Sequence, residues 1–133
     1  MSTEIGTIEA NRQLLRDYFD AMGAGEDFAR FFTEDVVWVN TGTGERFDGR
    51  EAVRSYIRAL HTELFDARPQ GRSLGVTADL AFLEGDFLGV DTDLRVPFCL
   101  AYDLDEFGIS AMRLYTSFAD LVARPRRGGS APS

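Results

Sequence analysis

ARFFTEDVVWVN, from Ala29 to Asn40, changes its period half-way along. Phe28, Phe31 and Phe32 recur at helical spacing and give a short helix its apolar side. Thr33-Glu34-Asp35 reads as a turn, and Val36-Val37-Trp38-Val39-Asn40, β-branched and aromatic, reads as a strand. The nearly unbroken apolarity of that strand predicts burial on both faces. Side chains alternate along a strand, so Trp38 and Asn40 share one face while Val37 and Val39 share the other. A buried amide left without partners costs about 1–3 kcal/mol, so Asn40 must be hydrogen-bonded. Two readings meet that demand. Asn40 caps the glycine turn Thr41-Gly42-Thr43-Gly44, or Trp38 and Asn40 line a ligand pocket as wall and polar handle.

Upstream of this stretch, residues 3–22 read as an amphipathic helix. Ile8, Leu15, Tyr18, Phe19 and Met22 fall on one stripe, with Arg12, Arg16, Asp17 and Asp20 mostly off it. Gly23 and Gly25 end it, and a second short helix over residues 26–32 leads into the strand. Downstream, Glu45-Arg46-Phe47 is the hairpin partner. Asp48-Gly49-Arg50-Glu51 has the form of a capping box with Asp in the cap position. It opens a third helix on which Val53, Tyr56, Ile57, Leu60 and Leu64 are spaced three and four apart, closed by Pro69 and Gly71. From Ser73 onward the pattern changes to strands at residues 74–83, 87–91, 96–104 and 109–118. Turn signals separate them at Glu84-Gly85-Asp86, Thr92-Asp93 and Asp105–Gly108. Short turns imply antiparallel neighbours, and helices followed by a run of strands make an α+β domain.

Composition narrows the function classes. At 133 residues, with 44% hydrophobic and 27% charged residues, the chain has the make-up of one globular domain, residues 1–123. The remaining ten, RPRRGGSAPS, carry no apolar run and are expected to form a disordered tail. The formal net charge is −8, and the tail contributes only arginines, so the domain itself is more acidic still. Such a surface repels a phosphate backbone, which argues against nucleic acid as a partner. A single cysteine, Cys99, excludes an internal disulfide, and one cysteine with one histidine cannot close a structural zinc site. No apolar run approaches the ~20 residues that span a bilayer, so no membrane partner is expected. The opening MSTEIGTIEANRQ shows no signal peptide, and the expected location is the cytoplasm. Eleven phenylalanines exceed what a core of this size uses, and an aromatic-lined pocket would take the surplus.

This order of elements resembles the nuclear-transport-factor-2-like superfamily, which includes ketosteroid isomerases, limonene-epoxide hydrolases and SnoaL-like polyketide cyclases. The resemblance spans about residues 7–121. It is carried by Tyr18-Phe19-Asp20-Ala21-Met22-Gly23-Ala24-Gly25, by Phe32-Thr33-Glu34-Asp35-Val36, by Phe47-Asp48-Gly49-Arg50-Glu51-Ala52-Val53, and by Gly108-Ile109-Ser110-Ala111-Met112-Arg113-Leu114-Tyr115. It implies a cone-shaped α+β barrel, three N-terminal helices packed on a strongly curved, mostly antiparallel sheet. Tyr18 takes the place of the isomerases' oxyanion-hole tyrosine. Asn40 falls where those enzymes keep a general-base aspartate, and Leu100 near their second oxyanion acid. Leu114 stands where the hydrolases and cyclases carry a catalytic aspartate after the last-strand arginine. The fold hosts many chemistries, so residues rather than fold must carry the function.

The candidate catalytic residues are therefore Tyr18, Asn40, Asp91 and His61, with Trp38, Phe98, Leu100, Met112 and Leu114 as substrate-binding residues. His61, at the edge of the third helix's apolar stripe, is either a half-exposed surface group or a proton carrier near neutrality. Asp91 and Asp93 are either turn residues or, if Asp91 points inward, a desolvated acid or base. Arg113 and Tyr115 alternate with Met112 and Leu114, which turns them outward toward a homodimer partner. Cys99 reads as a small buried hydrophobe. The expected function is a SnoaL-like isomerase, cyclase or lyase without metal or organic cofactor, acting on a hydrophobic polyketide-like or polycyclic substrate. The alternatives are a non-catalytic hydrophobic-ligand-binding protein or an epoxide hydrolase.

Overall fold

A computed structural model of the protein describes residues 2–60, 67–89, 93–117 and 119; for residues 2–6, 67 and 68 only the backbone is described. The chain opens with helix α1 (Ser2–Gly23), followed by a single 3-10 turn (Phe28–Phe31) and strand β1 (Phe32–Asn40). Strand β2 (Arg46–Asp48) and helix α2 (Arg50–Ala59) come next. Four long strands complete it: β3 (Ala67–Val76), β4 (Leu80–Gly89), β5 (Arg95–Asp105) and β6 (Gly108–Thr116). They form one six-stranded sheet in the order β2-β1-β6-β5-β4-β3. Every neighbouring pair is antiparallel except β1 and β6, which run parallel and place Trp38 opposite Met112 and Asn40 opposite Leu114. The α+β cone is as expected, with two α-helices and one 3-10 turn among the described residues where three helices were expected.

Several local expectations are corrected. Thr33-Glu34-Asp35 is strand, not turn, and the β1–β6 register slips between Phe32 and Val37 to accommodate it. Asp27 caps the 3-10 turn, its carboxylate accepting from the Ala29 amide at 3.2 Å. The capping box does not form. Asp48 ends β2 and pairs with Arg46, while Gly49 holds the N-cap position at φ 95° with no side-chain cap. Pro69 and Gly71 belong to β3, and Glu84-Gly85-Asp86 lies inside β4, opposite Gln70–Ser73. The real connection is at Thr77–Asp79, where the Thr77 hydroxyl accepts from the Leu80 amide at 3.0 Å. Pro69 is tolerated because β3 is an edge strand.

Two glycines explain how the sheet bends. Gly85 faces Gly71 next to a break in register, and a Cβ on Gly85 would run into the Gln70 carbonyl. A bulged glycine pair lets β3 and β4 curl over the helices. Gly108, at φ 132°, begins β6 so close to the Phe31 carbonyl that no side chain fits. The concave side of the sheet carries the core, in which Leu15, Tyr18, Phe32, Val36, Val53, Ile57, Tyr102, Met112 and Leu114 pack together. His61, Leu64, Asp91, Thr92 and the tail from residue 124 lie outside the described residues.

Candidate functional site

The concave side of the sheet encloses a cavity of about 110 Å³, or about 680 Å³ with its opening to solvent. Its walls come from every layer. Helix α1 supplies Tyr18, Phe19 and Met22, α2 supplies Ile57 and its neighbour Leu60, and β1 supplies Trp38. Pro69, Leu83, Phe87, Phe98, Leu100, Tyr102 and Leu114 complete it from β3 to β6. Phe98, Leu100 and Tyr102 are alternate residues of β5, so strand parity alone puts all three on one wall. A second, more open groove between α1 and the β5–β6 turn mixes polar groups such as Asn11, Asp105 and Glu106 with apolar ones such as Leu14 and Phe107. The enclosed apolar space is the better ligand site.

Asn40 lies outside that lining. It is fully buried, and each of its side-chain polar atoms is in use. Its Oδ1 accepts the Trp38 indole N–H at 2.6 Å, and its Nδ2 donates to Tyr56 Oη at 2.6 Å and to Glu45 Oε1 at 3.0 Å. The glycine turn is closed by the main chain instead, with the Thr43 and Gly44 amides donating to the Asn40 carbonyl at 3.2 and 2.7 Å. Tyr56 stacks on Phe47 with centroids 4.0 Å apart and meets Trp38 edge-on. Burial pushes the Tyr56 hydroxyl up in pKa, its hydrogen bond with Asn40 partly reverses this, and the Glu45 charge adds to the rise. The tyrosine is therefore neutral at physiological pH. The chemical effect of the node is to fix the plane of Trp38 and consume its only donor.

Tyr18 and Tyr102 stand differently. Tyr18 is buried, and its hydroxyl donates to the Met112 thioether at 3.8 Å, a weak acceptor. Tyr102 touches Tyr18 and Phe19 ring-to-edge, and its hydroxyl has no hydrogen-bond partner among the described residues. Burial raises both pKa values, with each other's proximity adding to that of Tyr18 and Cys99 to that of Tyr102. Both stay protonated and can donate.

Of the residues singled out in the sequence, Tyr18, Trp38, Phe98, Leu100 and Leu114 line the cavity together. Met112 is buried beneath it as the partner of Tyr18, and Asn40 sits behind Trp38. His61 directly follows the cavity residue Leu60, and Asp91 falls between β4 and β5; neither is among the described residues. Asp93 is exposed. In the sequence Tyr56 reads only as part of the third helix's apolar stripe, and Tyr102 is not singled out. Parity from Phe98 would have found Tyr102, whereas nothing in the sequence pairs Tyr56 with Asn40.

The outer face holds the remaining polar chemistry. Arg113 makes a two-pronged pair with Asp103 at 3.0 and 3.1 Å. Asp86 is a buried carboxylate, but it points away from the cavity and is held by Arg72 and by Arg95 at 2.9 Å. The hydrogen bond from Arg72 is the main cause of its lowered pKa, opposed by burial and assisted by the charge of both arginines. Burial and the nearby Glu84 raise the Cys99 thiol, which keeps it protonated. Among the described residues no helix is long and apolar enough to cross a membrane.

Residues 15–112 match the model of the SnoaL-like domain, well over half of the chain. The chain belongs to the SnoaL-like family. The SnoaL-like chain is similar in structure to an NTF2-like protein of unknown function from Mesorhizobium loti, at 19% identity and a TM-score of 0.72, over 83% of this chain and 93% of that one. A proposed ketosteroid isomerase from Kribbella flavida superposes at 24% identity and a TM-score of 0.68, over 83% and 79%. A proposed polyketide cyclase from Xanthomonas campestris pv. campestris does so at 20% and 0.68, over 88% and 97%. These likenesses concern the fold alone. No curated protein matches the chain by sequence.

Proposed function

We propose that this SnoaL-like chain binds a compact hydrophobic small molecule in the cavity beneath α1 and α2. The observation that carries this reading is the lining itself: an enclosed space walled by aromatic and aliphatic side chains, with tyrosine hydroxyls as its polar points. Trp38 is the only tryptophan and forms part of the wall, so it reports occupancy directly. Titrating the protein with methylenecyclohexane should change Trp38 fluorescence and raise the melting temperature. Leu100→Phe, which narrows the space without adding a second indole, should weaken both responses while the variant remains folded. Unchanged fluorescence and melting across the titration would refute the reading.

A second reading, a cofactor-free isomerase or cyclase, is favoured by two neutral phenols in the cavity wall, Tyr102 without a protein acceptor among the described residues and Tyr18 held only by a weak sulfur acceptor. Such donors can hold a developing oxyanion, and positioning alone lowers a barrier by several kcal/mol. Asn40 would serve that reaction only by orienting Trp38, because both its N–H groups are already engaged. His61 and Asp91 are the groups proposed to move protons in it. The protein is further proposed to form a homodimer through the outer sheet face, where Phe82 and Tyr115 are 44% and 47% exposed. An uncovered sheet face of that kind suits a partner. Sedimentation should give twice 14.8 kDa at micromolar concentration, and a stable monomer would refute this part.

A further inference from the structure

We propose that Tyr102 determines specificity in this cavity, and that the ligand is a single-ring apolar molecule bearing one carbonyl oxygen that accepts from the Tyr102 hydroxyl. The inference rests on the cavity being a ligand site, as proposed above. It proceeds by elimination among the donors that line it. The Trp38 N–H is spent on Asn40 at 2.6 Å, and the Tyr18 hydroxyl is engaged with the Met112 sulfur at 3.8 Å. Tyr102, 1% exposed and part of the lining, is the donor that no described residue satisfies. In the free protein water can serve that hydroxyl. A ligand that displaces the water must replace its acceptor or leave a buried hydroxyl unpaired.

Chemistry and size narrow the class further. A carbonyl supplies an acceptor and brings no donor of its own, so its arrival leaves nothing unpaired in a wall that is otherwise carbon. A ligand hydroxyl would bring an extra proton into a lining with little left to receive it. The interior of about 110 Å³ lies below the ~150 Å³ at which an apolar protein cavity is known to take up benzene. A single small ring is therefore the upper limit for the interior, with any larger part of a ligand left in the opening, and this narrows the polycyclic class expected from the sequence.

The test uses two probes of nearly the same shape, cyclohexanone and methylenecyclohexane, titrated into the parent, Tyr102→Phe and Tyr18→Phe by Trp38 fluorescence and ligand-observed NMR. Tyr102→Phe should weaken cyclohexanone by about 5- to 10-fold, the size of one neutral hydrogen bond, and leave methylenecyclohexane unchanged or tighter. Tyr18→Phe should change the ratio of the two affinities less, because its hydroxyl already has a sulfur partner. Equal effects of Tyr102→Phe on both probes, or none on the ketone, would overturn the role of Tyr102 while leaving the cavity a ligand site. Failure of both probes to bind the parent would overturn the ligand-site reading and this inference with it.

Discussion

On one side of Trp38, the Tyr56 hydroxyl lies 2.6 Å from an amide whose every hydrogen-bonding group is in use. On the other side, the Tyr102 hydroxyl borders an apolar space with no protein partner among the described residues. The two phenols have the same chemistry and opposite employment. Around Asn40 polarity is internal, and it locks a wall residue in place. Around Tyr102 polarity is left facing the space, where it can act only on something that enters. A buried polar group that the protein satisfies rigidifies the fold, whereas one left to a ligand supplies selectivity at some expense of stability.

Stability measurements can break this contrast. The largest effect is expected for Asn40→Leu, which orphans the Trp38 N–H and the Tyr56 hydroxyl together and should destabilise by about 2–4 kcal/mol in urea or thermal unfolding. A loss below about 1 kcal/mol would mean that the node is not a locking device. Asn40→Asp sharpens the point through pH. The new carboxyl is buried beside Glu45, so its folded pKa must lie above the ordinary value of about 4. Its stability should approach that of the parent below that value and fall as pH rises above it, until the buried carboxyl ionises. A pH-independent difference from the parent between pH 3 and 8 would show that Glu45 does not sense position 40.

Smaller effects separate the two tyrosines. Tyr56→Phe should cost about 1 kcal/mol, the net worth of a neutral hydrogen bond. Tyr102→Phe should change stability by less than about 0.5 kcal/mol, or slightly raise it, because no protein bond is lost. If Tyr102→Phe proved the more damaging, the division between internal and ligand-facing polarity would be wrong.

The strand character of Val36–Asn40 and the facing of Trp38 with Asn40 were legible because parity is a local property. The stripe of α1 that carries Tyr18 was legible for the same reason. What misled was turn chemistry. Glu84-Gly85-Asp86 and Pro69 with Gly71 look like chain reversals, yet they lie where β3 and β4 bend against each other. Glycine marks a bend in either case, and only the partner strand distinguishes a turn from a bulge. The Asp48 capping box failed similarly, because Arg46, two residues earlier on the same short β2, claims the carboxylate.

By itself the sequence determined the α+β class and the set of apolar faces, which follow from local period, and its motifs carried the family likeness. Which polar groups remain open for chemistry was decided only by tertiary structure. Asn40 read equally well as turn cap or pocket handle; its main-chain carbonyl closes the turn, while its side-chain amide donates to Tyr56, sixteen residues away on α2, and to Glu45. Tyr102 carried no signal beyond parity, and it stands out only because Met112 and Asn40 engage its neighbours' donors and not its own. Hydrogen-bond saturation depends on which elements meet across the sheet, and that pairing is not written in any one segment.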